Sequence, residues 1–400
     1  VAHGAGDAAV KITGFEAYLV QLPTRRIHNW AGKMSTPIGH HYILRITTDA
    51  GFDGWGETPA IATWGGPHGA YFGETALTVD HIVADYLLPA LEDSDPRDLG
   101  ACHRRMDRAV KGHPYAKAAV DLALHDLAGK AAGVPVYRLL GGKLRDGIPV
   151  CHSLGIMDAD AALQEAEAAA AEGVQAIKCK TGLDPRRDIG LVEAMRKRLG
   201  PETGIRVDAN EGYASAREAA RITRAMEPYG ILFCEQPVAG FDALAEVARL
   251  ISVPVMADES AWYPQDILRL WQLGAAQIIS LYYSKPGGLY RARQVADVAQ
   301  ACGITCDIGG SIEMGIGVAA NVHLGVAVEA LSWPSVCPVP NVDGAGPTKM
   351  AGVYYRDDII REPLRYEHGV LYPPERPGLG VEIDGEKLSR YGRPLRSTVV

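Results

Sequence analysis

The sequence predicts an α/β fold in which a parallel βα barrel follows an N-terminal α+β domain. Three observations carry this: an opening stretch of alternating apolar residues, a run at helical spacing after it, and then about 200 residues in which apolar strands and helical stretches take turns. Residues 11–23 and 42–48 alternate and are rich in β-branched side chains. Gly51-Phe-Asp-Gly-Trp-Gly56 adds turn chemistry, so an antiparallel meander opens the chain. Helical spacing then runs through 81–88, 99–109 and 116–130, ending at Gly133-Val134-Pro135. From about residue 148 apolar strands at 149–154, 176–180, 204–208, 231–235, 253–257, 278–281 and 304–308 alternate with helices at 159–172, 188–199, 214–226, 241–250 and 265–273. No Gly-rich dinucleotide fingerprint opens this array, which favours a closed barrel over an open sheet. The expected domains are 10–140 and 145–358, with a Pro- and Gly-rich tail, 360–400, folding back onto the first.

The chain has 400 residues, 47% of them hydrophobic and 22% charged, which is ordinary globular composition. Its net charge is −8 and no Lys/Arg cluster stands out, so nucleic acid is not expected as a partner. The seven cysteines are scattered without CxxC spacing and read as small buried hydrophobes in a reducing cytoplasm. No apolar run approaches a membrane span, and residues 1–9 lack the pattern of a secretory signal. A cytoplasmic protein without a membrane partner is the expectation.

One residue set repeats with the barrel period. Lys178 and Lys180 end one strand and Asp208 the next; Glu235, Asp258, Lys285 and Glu313 follow at or just past later strand ends. The spacing is roughly 23–30 residues, one βα unit each, which places every member on the face where barrel active sites are built. Alternation sends Lys178 and Lys180 inward together, and likewise Asp208 and Asn210. A lone Asp at a strand end is ordinarily a cap, and a lone loop Lys is ordinarily solvated. The register across consecutive units is what argues for a site. Three carboxylates on adjacent strands form a hard oxygen cage suited to Mg²⁺, with Mn²⁺ as the alternative. Lysines on opposite sides of that cage could move a proton on the carbon beside a metal-held carboxylate, through an enediolate.

These residues, read as Lys178-Cys-Lys180, Val207-Asp208-Ala-Asn210, Cys234-Glu235-Gln-Pro237, Ala257-Asp258-Glu259-Ser260 and Lys285-Pro-Gly-Gly288, resemble the enolase superfamily, and within it the muconate lactonizing enzyme subgroup. The resemblance covers nearly the whole chain, including Gly54-Trp-Gly-Glu57. It implies a modified TIM barrel, (β/α)7β, with an N-terminal α+β capping domain. It also implies Asp208, Glu235 and Asp258 as metal ligands, and Lys180 and Lys285 as the acid/base pair. Lys178 would support that pair, and Asn210 and Glu259 would sit just behind the ligands. A homo-oligomer is the family tendency.

In such proteins two lid loops of the capping domain close the barrel mouth, here about 25–39 and 58–72, carrying His28, Trp30, Trp64, His68, Tyr71 and Phe72. Trp30 and Trp64, together with Glu313, Tyr283 and Asp343, are the expected substrate contacts. Asn341-Val-Asp343 resembles the Asp-x-Asp that binds the free ammonium in dipeptide epimerases, but its first Asp is Asn. That departure disfavours an ordinary dipeptide. The expected activity is racemisation or epimerisation of an amino-acid derivative, N-substituted or proline-like, so the partner is a small carboxylate substrate. Syn-dehydration of the hydroxyproline type and muconate-type cycloisomerisation use the same two lysines, and a Schiff-base barrel aldolase is the rival from another class.

Overall fold

The computed structural model describes residues 10–31, 38–66, 71–344 and 349–399. His68 and the middle of each lid loop fall outside them. Three antiparallel strands open the chain: β1 (Ile12–Gln21), β2 (His40–Thr48) and β3 (Gly54–Pro59). The period of two in β2 divides two cores. Tyr42, Leu44 and Ile46 enter a cluster with the following helices, while Ile43 enters the cluster that fills the barrel layer. The helix Pro114–Ala132 starts on a proline, stops at Gly133 in the left-handed region and is buried along almost all of its length. It lies flat against β3 because Gly54 and Gly56 have no Cβ. A methyl group on Gly56 would fall inside the van der Waals radius of the Ala119 carbonyl oxygen.

After β4 (Ile148–Pro149) come the seven parallel strands of the barrel: β5 (Cys151–Leu154), β6 (Ala176–Lys180), β7 (Gly204–Asp208), β8 (Ile231–Glu235), β9 (Val255–Ala257), β10 (Ile278–Leu281) and β11 (Thr305–Ile308). They pair in sequence order. Residues 331–335 close the ring: Leu331 bridges Cys306 on one edge and Ser335 bridges Val150 on the other. Helices return the chain between strands, several begun by side-chain caps such as Asp158, Asp184 and Ser215. In the tail, β12 (Tyr366–Glu367) and β13 (Val370–Leu371) form a small sheet with β4, and β14 (Gly392–Val399) pairs with β1. Among the described residues no helix is long and apolar enough to cross a membrane.

Two devices fix the domains on one another. The Glu57 carboxylate at the end of β3 accepts from Met314 N and Gly317 N, both at 2.7 Å, so it caps the barrel helix Gly315–Ala327 from the neighbouring domain. Asp121 of the long buried helix accepts from Leu289 N at 2.6 Å, at the start of the helix after β10.

The barrel interior is layered. Phe233, Met256 and Ile278 cluster as an apolar floor, each two residues below a polar one at the next level. Above them, fully buried Arg206 donates to Glu235 at 2.8 Å and to Asp307 at 2.7 Å, and Ser280 Oγ donates to Asp307 at 2.9 Å. Two stability outcomes follow. Gly56→Ala should lose about 1–3 kcal/mol in urea denaturation, because the helix has to lift off β3. Arg206→Met should lose about 3–5 kcal/mol by leaving buried Asp307 without its countercharge, and adding Asp307→Asn should recover part of it.

Candidate active site

The strand ends gather three of the expected groups in a row. Lys180 is the register partner of Asp208, and Asp208 of Glu235. All three side chains, with Lys178, Asp258 and Lys285, are buried. Lys178 Nζ lies 2.6 Å from Glu235 Oε1 and 2.7 Å from Asp208 Oδ2. Lys180 Nζ donates to the same Asp208 oxygen at 2.6 Å and to Asn210 Oδ1 at 2.7 Å. Across the ring, Lys285 Nζ donates to Asp258 Oδ1 at 2.8 Å and to the carbonyls of Asp258 and Ser280.

Burial alone would lower the Lys178 pKa, but the charges of Asp208 and Glu235 outweigh it and hold the ammonium above its ordinary value. Burial likewise pushes Asp208 up, and the two lysines more than reverse it. Glu235 goes the other way, raised by burial and by the charge of Asp208. Lys178 and Arg206 lower Glu235 as well, but less than burial and its neighbour's charge raise it, as expected for carboxylates crowded into one site.

Behind this row Asn210 Nδ2 donates to Glu259 Oε1 at 2.9 Å, and its own N–H donates to Asp208 Oδ1. Burial, then the charges of Asp258 and Asp208, push Glu259 well above the ordinary carboxylate range, and its Oε2 has no partner among the described residues. The backbone departs from ordinary conformations at these same strand ends. Asn210, Glu211 and Gln236 have φ of 42°, 62° and 35°, and Ile312 has 65°.

The cavity over the row is walled by His28, Trp30, Trp64, Tyr282, Tyr354 and Ile312. Trp64 stacks on Trp262 at 5.1 Å and Tyr71 stacks on the same ring at 4.9 Å. Lys285 Nζ lies 4.3 Å from the Tyr282 ring centre. Of the expected substrate contacts, Trp30 and Trp64 are in this wall and three are not. Tyr283 is buried with its hydroxyl on the Glu57 carbonyl at 3.3 Å. Alternation explains the difference, since inward Ser280 makes Tyr282 the inward tyrosine. Glu313 is buried behind the cavity, its Oε1 accepting from Ser311 N, and burial pushes its carboxyl up to about 8. Asp343 is exposed, its N–H donating to Asp357, and the neighbouring Asn341 amide is spent on the Arg356 carbonyl.

Sequence reasoning passed over Arg206, Asp307 and Gln236. The first two were legible as charged residues at inward positions of strands. Gln236 stands inside a quoted motif, and its side chain holds the turn bearing Asp258: Oε1 accepts from Asp258 N and Ser260 N, and Nε2 donates to Ser260 Oγ.

The donor set suits a divalent metal. Asp208, Glu235 and Asp258 are buried carboxylates on three adjacent strands, and the unpartnered Glu259 oxygen adds a further acid beside them. Only hard oxygens are offered, with no thiolate or imidazole among them. Each carboxylate is here turned onto a lysine or arginine, so no three of the described acid, histidine or cysteine groups converge on one point.

Comparison with known proteins bears on all of this. Residues 161–388 match the family "Enolase C-terminal domain-like", and residues 21–141 match "Mandelate racemase / muconate lactonizing enzyme, N-terminal domain". Muconate cycloisomerase 1 of Rhodococcus opacus is 33% identical over 392 residues, covering 96% of this chain and 99% of that protein. N-succinyl-L-Arg/Lys racemase of Bacillus cereus is 30% identical over 383 residues, covering 95% and 97%. Among solved structures, the Bacillus cereus N-succinyl Arg/Lys racemase superimposes with a TM-score of 0.85 at 30% identity, over 96% of this chain and all of that one. A Pseudomonas fluorescens muconate lactonizing enzyme complexed with muconolactone gives 0.86 at 30% identity, with the same coverage. Members of the superfamily bind a divalent metal. The two-domain match, the barrel and the row of acids and lysines agree: the chain belongs to the mandelate racemase/muconate lactonizing enzyme family of the enolase superfamily.

Proposed function

We propose that this enzyme uses Mg²⁺ and two opposed lysines to invert the carbon next to a carboxylate in an amino-acid derivative, N-substituted or proline-like. The observation that carries the reading is the placement of the lysines. Lys180 ends β6 and Lys285 follows β10, so β7, β8 and β9 lie between them one way round the closed ring, and β11, the stretch 331–335 and β5 the other. They therefore approach a ligand at the barrel axis from opposite faces.

Asp208, Glu235 and Asp258 would hold the ion, which when bound supplies positive charge for the substrate carboxylate as its α-proton leaves. Lys180 Nζ takes the proton from one face and Lys285 Nζ delivers one to the other, with the roles exchanged for the opposite enantiomer. Lys178, held between Asp208 and Glu235, offsets part of their negative charge beside the reacting carbon. Gln236 keeps Asp258 in place, and the rings of Trp30, Trp64 and Tyr282 keep water from the reacting carbon. A second reading, muconate-type cycloisomerisation, is supported by the 33% identity to the Rhodococcus enzyme and needs only one of the lysines as acid.

Incubation in D₂O with Mg²⁺ and a panel of N-acyl amino acids and proline derivatives, followed by mass spectrometry and polarimetry, separates these readings. Deuterium at the α-carbon with loss of optical rotation is the expected outcome. Lys180→Ala and Lys285→Ala should each slow inversion by about 10²–10⁴-fold. Full exchange and turnover in both variants would remove the lysines from the chemistry. Chelation should abolish inversion and added Mg²⁺ restore it. Activity that survives the chelator, with substrate trapped on a lysine by borohydride, would point to an aldolase instead.

A further inference from the structure

The cavity wall contains a group whose protonation state is dictated by its neighbours on the protein. His28 is buried, lines the cavity beside Lys180 and Trp30, and places Nδ1 3.1 Å from Nη1 of Arg26. A guanidinium has only N–H donors and no lone pair to offer. The Arg26 N–H therefore donates, Nδ1 accepts, and the one hydrogen of the neutral ring sits on Nε2.

Arg26 cannot turn away to relieve this constraint. Its Nε and Nη2 grip Glu165 at 2.7–3.1 Å, and Nη2 also reaches the Ser153 carbonyl of β5. Glu165 is held in turn by Arg25 at 2.8 Å and by His152 Nε2 at 2.9 Å. The peptide beside the ring is tied down as well, with Ile156 N donating to Asn29 O at 2.8 Å. Protonating His28 would set an N–H against the guanidinium. Burial first, then the charges of Arg26 and Lys180, hold its pKa well below the ordinary value. Nε2 has no hydrogen-bond partner among the described residues, so its N–H is left for whatever fills the cavity.

We propose that His28 is a specificity-determining residue of this site, locked by Arg26 and Glu165 as a neutral one-way donor whose Nε2–H selects a ligand carrying an oxygen acceptor, such as an amide carbonyl, beyond the reacting carbon. Its part in substrate choice rests on the function proposed above; its tautomer does not. A ligand group that can only donate, such as an ammonium, gains nothing from this ring. A carbonyl does, in a cavity lined also by Trp64, Ile312, Val336, Ser153 and Tyr354, whose ring lies 5.1 Å from that of His28.

Two measurements test it. Histidine side-chain ¹⁵N–¹H correlation spectra of the full-length protein, without metal or substrate, should show His28 with an unprotonated Nδ1 and a protonated Nε2 near neutral pH. The signal is assigned by its loss in His28→Gln. In Arg26→Met the two tautomers should mix. An Nδ1–H tautomer or an imidazolium in the native protein overturns the proposal.

The second measurement compares α-proton exchange on N-acetyl and N-ethyl forms of one amino acid, which differ by a carbonyl oxygen. His28→Ala should lower kcat/KM for the N-acetyl compound by about tenfold, with little change for the N-ethyl one. His28→Gln, which restores an N–H at similar reach, should recover most of that loss. Equal loss on both compounds, or exchange of neither by the native enzyme, overturns the assignment. The Lys180→Ala and Lys285→Ala results show separately whether the lysine reading has failed.

Discussion

Everything at the barrel mouth depends on the mutual neutralisation of buried acids and cations. Asp208, Glu235 and Asp258 are all essentially inaccessible, and a buried carboxylate alone is costly by several kcal/mol. Lys178, Lys180, Lys285 and Arg206 supply the matching charge, each within about 3 Å of an acid. The arrangement is compact because alternate residues of adjacent parallel strands point into one ring. It is also internally competitive. Asp208 takes two lysines, and Glu235, beside it, is pushed upward by burial and then by Asp208's charge. A site balanced this way answers readily to an added cation, which is what metal-assisted proton transfer asks of it.

The apolar parts of the fold serve that balance. The floor of Phe233, Met256 and Ile278 excludes water from below, and Arg206 with Asp307 forms a rigid polar layer between floor and site. The capping domain adds its own constraints by reaching into the barrel layer. Glu57 serves as a cap for a barrel helix, and Asp121 does so for the helix that follows Lys285. Both are carboxylates at helix N-termini, where exposed N–H groups and the helix dipole favour negative charge.

Much of this is legible in the sequence, and the illegible part has a common cause. The barrel strands, the lysine pair and the three acids follow from a period of two within strands and one βα unit between them, both properties of local sequence. The closing stretch 331–335 escaped notice because it pairs through isolated bridges and carries no alternating run. Tyr283 stands next to the tyrosine that does face the site: alternation from Ser280, whose Oγ bonds Asp307, carries Tyr282 to Asp258 and turns Tyr283 away. Asp343 was chosen on likeness to a motif, yet its segment is held by Arg356 and Asp357 away from the cavity. Glu313 has the right spacing, but the left-handed turn at Ile312 precedes it and its side chain bonds back to Ser311 N. Spacing places a residue at a strand end; only tertiary packing decides which way it faces there.

The segments that carry Trp30 and Trp64 leave a sheet that is not the barrel. One joins β1 to β2 and the other leaves β3, and that sheet is clamped to the long buried helix through the bare backbone of Gly54 and Gly56. The lysines and acids stand on the ring, whereas His28, Trp30, Ile61 and Trp64 of the cavity wall arrive from the other module. Insertions or exchanges in those two connections can therefore alter what is admitted without disturbing a single charge in the ring. The ring charges and one side of the cavity wall are, in this architecture, written on separate pieces of backbone and can drift independently.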